Sequence, residues 1–373
     1  MTKCLVCTAA VLFVTAFLDK AAVRDSIPEF DDQTVRALTA IAETGRAATS
    51  APGLLVGVWA PGKGRFVRAF GTSDLATNAF VRLDDHFRIA SNTKTFTATA
   101  ILQLVDEGSL SLDASLSQFV GGIPYGDQIT VRELLNMTAG IYDYVDDETI
   151  LTKYKADPLL PGFTALDAIE IIKQHQPDFV PGTSAKYSDS NYLLLGLIVE
   201  KITGRSVGSV IQTKILDKLG MRQTSFPTTP AMPRPFSRGY FPVVDGVPRD
   251  VTESNPNFAL GAGAMISTLG DLRIWAKALA TGTLLSPATQ QLRLQTIEIQ
   301  PGVRYGLGIT EINGFFGHTG GILGYGTAVF YLPEADATFV VISNSNAVFT
   351  VPAANIFVGL AYYLFPEQFP NGI

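Results

Sequence analysis

Cysteine is scarce in this sequence: the 373 residues include two, Cys4 and Cys7, and both lie near the N-terminus. Their C-x-x-C spacing resembles a redox pair, but no βαβ pattern surrounds them, so we interpret them as filler in an apolar segment. No cysteine follows residue 7, which excludes a disulfide framework and thiol chemistry from the rest of the chain.

Clusters of basic residues and internal repeats are also absent. Lysine and arginine number 28 against 34 acidic residues, for a net charge of -6. This balance argues against nucleic acid as a partner. With 47% hydrophobic residues, the chain is long enough for a large buried core in one domain or in two closely packed ones.

Long apolar runs are missing, since the run that starts after Lys3 and ends before Asp19 has only 15 residues. That is short for a transmembrane helix and typical of a secretory signal. We therefore expect residues 1–23 to direct export, and residues 24–373 to form a secreted or cell-envelope domain. An uncleaved N-terminal anchor is the alternative, and it is the one route to membrane association.

The hydrophobic pattern changes along the chain from strand-like to helical and back. Two apolar runs, 54–60 and 65–70, flank a Pro-Gly-Lys-Gly turn and predict a hairpin. Helical periodicity dominates from residue 91 to about 220, and strand-like runs return at 305–309, 315–318, 327–332 and 338–343. We expect an α/β (α+β) fold, with a sheet from about 30–90 and 260–373 and a helical region of about 91–259 inserted in it.

Ser91 and Lys94 form the only S-x-x-K tetrad in the chain. The apolar residues after Ser91 recur at three- and four-residue steps, at Phe96, Ala100, Ile101, Leu104 and Val105. This spacing predicts a helix that carries Ser91 and Lys94 on one face, one turn apart. A buried lysine can activate a serine, and the helix N-terminus favours a developing negative charge, although a chance match is the simpler reading of a lone tetrad.

Two downstream stretches supply candidate partners. Tyr187 precedes a helical run, and its phenol could pass protons between Ser91, Lys94 and a leaving group, or it could only pack under its loop. The strand-like segment that ends in His318, Thr319, Gly320 and Gly321 has small residues against which a substrate could lie. The amide of Gly321 could complete an oxyanion hole with that of Ser91, or the segment could be a simple turn.

The three stretches together resemble the motifs of penicillin-recognising serine hydrolases. Ser91 to Lys94 resembles S-x-x-K, Tyr187 to Asp189 resembles Y-x-N, and His318 to Gly320 resembles K-T-G or H-T-G. The similarity is greatest to serine D-alanyl-D-alanine carboxypeptidases of the class C β-lactamase-related group, over most of residues 50–345. It implies an antiparallel sheet flanked by terminal helices beside an all-helical region. It also implies acylation of Ser91, proton transfer by Lys94 and Tyr187, and no metal or organic cofactor.

The resemblance assigns substrate-binding roles to Asp189, His318, Thr319, Gly320, Gly321 and Phe258. Two residues depart from the family pattern. Asp189 replaces the usual asparagine, and we hypothesise that its carboxylate bonds away from Lys94 or to the substrate, because an ion pair would raise the pKa of the lysine. Thr310 stands where the related carboxypeptidases have an arginine for the substrate carboxylate.

Another serine, Ser206, lies in a G-x-S-x-G motif at 204–208. That motif requires a strand before it, whereas the preceding residues are helical in pattern, so we interpret it as a turn between helices. The three histidines also allow a Ser-His-Asp triad in principle. His86 and His175 have no partner pattern, and structural roles are the simpler interpretation.

The motifs leave several functions open. The predicted activity is that of a D-alanyl-D-alanine carboxypeptidase-like peptidase acting on a peptide or small molecule, with a β-lactamase-like esterase and a class C-type β-lactamase as alternatives. These enzymes share acylation and differ in pocket shape, on which the motifs carry little information. The missing arginine and an apolar lining at Tyr142, Tyr144 and Phe258 favour neutral amides or esters. A non-catalytic penicillin-binding or sensing module is the alternative of another class.

Overall fold

The structure is a computed structural model that describes residues 26–372 apart from 158, 160, 161, 243–245, 247 and 347–351. The predicted export segment, residues 1–23 with Cys4 and Cys7, lies outside the described residues. No helix within the described ranges is long and apolar enough to cross a membrane.

The helices of the described chain are α1 Asp32–Ala48, α2 Thr93–Asp106, α3 Val131–Leu135, α4 Glu148–Ala156, α5 Ala165–Gln174, α6 Asp189–Thr203, α7 Val207–Ile211, α8 Asp217–Leu219, α9 Leu269–Thr281, α10 Pro287–Arg293 and α11 Pro352–Leu364. Its strands are β1 Gly53–Ala60, β2 Gly64–Asp74, β3 Ala79–Phe80, β4 Phe87–Arg88, β5 Tyr240–Phe241, β6 Arg249–Asp250, β7 Ile266–Ser267, β8 Ile297–Gln300, β9 Val303–Tyr305, β10 Thr310–Ile312, β11 Phe315–Ile322, β12 Tyr325–Leu332 and β13 Ala337–Ser343.

Nine of these strands form one antiparallel sheet in the order β3-β2-β1-β13-β12-β11-β10-β9-β8. The predicted hairpin of β1 and β2 is confirmed, with Ala60 opposite Gly64 across the turn. The strand β1 from the N-terminal part pairs with β13 from the C-terminal part, Leu54 facing Ser343. Both ends of the chain therefore build the sheet, with the helices α2 to α8 inserted between them in sequence.

Both faces of the sheet are buried, and alternate residues of its central strands enter different cores. On β13, Phe339 packs on the face covered by the terminal helices α1 and α11, where Phe330 stacks on Phe357 at a centroid distance of 4.2 Å. Val340 enters the larger core on the opposite face, formed with α2, α6 and α9. Full burial on both sides explains why β1 reads as a continuous apolar run.

One predicted strand differs from the structure. The expectation of a strand over 305–309 is wrong, because β9 ends at Tyr305 and β10 begins at Thr310. Gly308 has a φ of +75°, and a Cβ there would lie 2.1 Å from the Cβ of Ala98 in α2. Only glycine allows this turn to approach α2 so closely. The break brings Thr310, the first residue of β10, into the lining of the cavity at Ser91.

Candidate active site

Ser91 lies in a single 3₁₀ turn, Ala90–Asn92, that leads directly into α2. The preceding residue, Ala90, has a φ of +50°, a left-handed conformation that is strained for a residue with a Cβ. Ser91 is partly exposed, whereas Lys94 is fully buried. The Lys94 Nζ donates a hydrogen bond to Ser91 Oγ at 3.0 Å. The structure thus brings together the serine and lysine on the helical face that their spacing predicts.

The hypothesis that Asp189 bonds away from Lys94 is wrong. Asp189 is the first residue of α6, and its carboxylate forms a short ion pair with Lys94 Nζ. The N-terminus of a helix favours a negatively charged side chain, so α6 helps to hold the Asp189 carboxylate in this position. Burial lowers the pKa of Lys94, but the attraction of Asp189 and Tyr187 outweighs this and raises it above its ordinary value. Lys94 is therefore an ammonium ion in the resting site.

Tyr187 faces both members of the tetrad. Lys94 Nζ lies 5.0 Å from the centre of the Tyr187 ring, and the phenol is close enough to Lys94 and Ser91 for both to influence its pKa. Desolvation raises the pKa of Tyr187 to about 12 although the Lys94 charge opposes this change. The phenol therefore keeps its proton at neutral pH and is placed to donate it to a leaving group.

His318 is buried beside Tyr187, with the two ring centres 6.1 Å apart. Its Nδ1 lies against the carbonyl of Thr319, and its Nε2 is 3.0 Å from the hydroxyl of Tyr305. Because a carbonyl only accepts, Nδ1 donates to it and Nε2 accepts from the phenol. Burial and the Lys94 charge lower the pKa of His318 to about 3, which the Thr319 carbonyl only partly opposes. The imidazole is neutral at physiological pH.

This burial predicts a loss of stability in acid. The folded protein binds the His318 proton more weakly than the unfolded chain does, so the free energy of unfolding should fall as pH drops from 6.5 towards 3. The loss from this group is at most about 1.4 kcal/mol per pH unit. Urea unfolding of the wild type and of His318→Gln at pH 7.0 and 4.5 measures it. Equal pH dependence in both proteins would contradict the prediction.

Strand β11 carries His318 past the nucleophile at close range. A Cβ on Gly320 would lie 2.5 Å from the carbonyl oxygen of Ile89, so a glycine is needed where the strand meets the segment that holds Ser91. Thr319, Gly320 and Gly321 line the same cavity as Ser91. The oxyanion hole formed by the Ser91 and Gly321 amides stays a prediction.

The cavity above Ser91 has a volume of about 910 Å³ and is mostly apolar. Phe258 lines it as predicted, and the Phe258 carbonyl accepts a hydrogen bond from Tyr144 at 2.9 Å. Thr310 also lines it. Among the lining residues that the structure describes, Asp189 is the single charged one, and neither lysine nor arginine occurs. The cavity thus provides no described cation for a substrate carboxylate.

The rival site candidates lie outside this arrangement. Ser206 caps α7, where it accepts the Ser209 N–H at 3.2 Å, and the helix α6 precedes it, which confirms a turn between helices. His86 Nδ1 is 2.7 Å from the carbonyl of Pro235. His175 stacks on Tyr142 and pairs with Asp147 at 2.9 Å. Both histidines have the structural roles expected of them.

The sequence analysis does not predict three residues that support the site. The carbonyl of Ala262 accepts from Lys94 Nζ at 2.9 Å, and Tyr305 holds His318. The buried carboxyl of Asp143 accepts the backbone N–H of Asp189 at 3.0 Å. No group of three or more His, Cys, Asp or Glu side chains within the described ranges could hold a metal ion.

A serine at a helix start, with a lysine bonded to it and a tyrosine facing both, is the arrangement of a serine hydrolase. The chain belongs to the Beta-lactamase family, whose profile matches residues 33–362. This match confirms the predicted family and its β-lactamase/transpeptidase-like fold, with mixed helices and a large antiparallel sheet.

Known relatives show what the chain resembles. It is 26% identical over 296 residues to penicillin-binding protein 4* of Bacillus subtilis, covering 74% of this chain and 65% of that protein. It is 31% identical over 239 residues to protein flp of Staphylococcus aureus, covering 61% of this chain and 45% of that protein. The chain thus spans less than two thirds of the length of these relatives.

Two solved structures match over nearly their whole length. A D-stereospecific amidohydrolase from Streptomyces sp. has a TM-score of 0.79 at 30% identity, covering 89% of this chain and 99% of that one. A D-amino acid amidase from Ochrobactrum anthropi SV3 has a TM-score of 0.77 at 25% identity, covering 91% and 99%.

Proposed function

We propose that this protein hydrolyses neutral amides or esters of D-amino acids through an acyl-enzyme on Ser91. The observation that carries the proposal is the cavity at Ser91, whose described lining contains one charge, the carboxylate of Asp189. Because Lys94 balances the charge of Asp189, a substrate that bears a free carboxylate at its leaving end would find no unpaired cation among the described lining residues. The D-configuration is supported by the likeness to an amidohydrolase and an amidase that carry it in their titles.

The residues supply each step of such a reaction. Ser91 attacks the carbonyl carbon, and its proton passes to Lys94 once the ammonium, which donates to Ser91 Oγ in the resting site, has given up a proton. We expect the amides of Ser91 and Gly321 to hold the oxyanion, and Tyr187 to protonate the leaving amine or alcohol. Water then releases the D-acyl group. Neutral His318 and Thr319 line the same cavity without adding a charge.

The predicted carboxypeptidase activity has less support from this cavity. A carboxypeptidase must hold a terminal carboxylate, and Thr310 offers a hydroxyl where the related carboxypeptidases have an arginine. Arg304, the nearest basic residue in sequence, bonds instead to Thr296 and pairs with Glu311 at 3.4 Å. His318 is neutral. We therefore place D,D-carboxypeptidase and β-lactam hydrolysis behind the amidase or esterase activity.

A comparison of matched substrates tests the proposal. D-phenylalaninamide, L-phenylalaninamide, a D-phenylalanine p-nitrophenyl ester, D-alanyl-D-alanine and a fluorescent penicillin would each be given to the purified protein. We expect the neutral D-substrates to exceed the carboxylate-bearing compounds in kcat/KM by at least about tenfold, which corresponds to about 1.4 kcal/mol. Faster turnover of D-alanyl-D-alanine, or rapid stable penicillin labelling, would contradict it.

A further inference from the structure

The Lys94 side chain already uses every hydrogen-bond donor it has. Its Nζ donates to Ser91 Oγ at 3.0 Å, to the Ala262 carbonyl at 2.9 Å and to the Asp189 carboxylate. An ammonium group has three N–H donors and no lone pair. Because the side chain is fully buried, bulk water does not replace any of these partners. In this state Lys94 cannot accept the proton of Ser91 until it has released one of its own.

Only one of the described groups bonded to Lys94 can take that proton. The Ala262 carbonyl is an amide oxygen and is not basic. Ser91 is the group that must lose its own proton. The phenol of Tyr187 is protonated and serves as a donor, and both ring nitrogens of the neighbouring His318 are already hydrogen-bonded. The carboxylate of Asp189 remains.

We propose that Asp189 is the proton acceptor for Lys94 in the acylation step, and this inference rests on the proposed acyl-enzyme function. A Lys94 N–H proton moves to Asp189 Oδ1, which leaves a neutral amine and a carboxylic acid. The amine then takes the Ser91 hydroxyl proton as Oγ bonds to the substrate carbonyl carbon. The negative charge passes from Asp189 to the oxyanion, and the ammonium is restored. When the intermediate collapses, Tyr187 protonates the leaving group, and the Asp189 proton returns through Lys94 to the Tyr187 oxygen.

Tyrosine rings and a second, buried acid surround this ion pair. Tyr187 and Tyr192 face Lys94, with the Tyr192 ring centre 5.8 Å from its Nζ, and Tyr305 lies further out. Behind Asp189, the carboxyl of Asp143 accepts its backbone N–H. Burial and repulsion from Asp189 raise the pKa of Asp143 to about 8, which disfavours a charge on this second acid. Asp189 is the carboxylate that balances the positive charge of Lys94.

The variant Asp189→Asn keeps the shape of the side chain and removes its ability to take a proton. We expect the burst of p-nitrophenol from a D-phenylalanine p-nitrophenyl ester to slow by about 100-fold or more. The residual rate should rise with pH from 6 to 10, because Lys94 must then lose its proton to solvent. A matched control, Asp146→Asn, removes a half-exposed acid of the neighbouring loop and should change the burst less than about threefold.

A proton inventory on the wild-type burst keeps the test independent of how any variant folds. Rates in mixtures of light and heavy water should give a curved plot for two protons in transfer, and a straight line would overturn the proposal. A burst in Asp189→Asn as fast as that of the wild type would also overturn it, because Asp189 would then only restrain Lys94. Mass spectrometry that finds no acyl group on wild-type Ser91 would overturn the proposed function and this inference with it.

Discussion

Replacement of Ser91 by alanine is expected to lower kcat for a D-phenylalanine p-nitrophenyl ester by about 10³-fold or more. The variant loses the Ser91 hydroxyl, which Lys94 Nζ contacts at 3.0 Å and which belongs to a residue lining the cavity. The variant keeps the cavity, the N-terminus of α2 and Tyr187, so the affinity for substrate should change little. Initial rates, together with mass spectrometry of the trapped acyl-enzyme, measure both effects.

The variant Ser206→Ala is the matched control. It removes a hydroxyl that only caps α7, so its kcat should stay within about twofold of the wild type and its stability should fall by about 1 kcal/mol. Activity that disappears in Ser206→Ala but survives in Ser91→Ala would refute the site assignment. A wild type that binds penicillin and hydrolyses none of the tested esters and amides would favour the non-catalytic module.

Local patterns were sufficient to predict the main elements of the fold. Alternation and turn residues predicted the hairpin of β1 and β2, and three- and four-residue spacing predicted α2 with Ser91 at its start. The failure at 305–309 has a tertiary cause. Gly308 turns there because α2 approaches to contact distance, and no local pattern reports a neighbour that is about 200 residues away in sequence.

Within the site, contacts between residues close in sequence were predictable and contacts between distant residues were not. The pair of Ser91 and Lys94 follows from helical spacing alone. The ion pair of Asp189 with Lys94 contradicts the hypothesis from the sequence, because helical spacing does not show which distant group a buried ammonium contacts. The Ala262 carbonyl, 168 residues from Lys94, has no side-chain signal at all. In the sequence Asp143 is one of several acids in a polar loop, and only the fold shows that its side chain is buried.

The variant Lys94→Met is expected to abolish acylation and also to destabilise the fold. Methionine fills a similar volume but offers no donor, so Ser91 has no base and Asp189 has no cation. Removal of one partner from a fully buried ion pair costs about 3–5 kcal/mol. The Asp189 side chain is 26% exposed and can regain water, so the loss here should lie at or below the lower end of that range.

The double variant Lys94→Met/Asp189→Asn separates these two effects. A neutral amide needs no counter-charge, so most of the lost stability should return, whereas the ester burst should remain absent because no base has been restored. Urea unfolding of the wild type, both single variants and the double variant gives the coupling free energy of the pair. A double variant no more stable than Lys94→Met would mean that the ion pair contributes little to the fold, and that the cost arises from the Ala262 carbonyl, which loses its donor in both proteins.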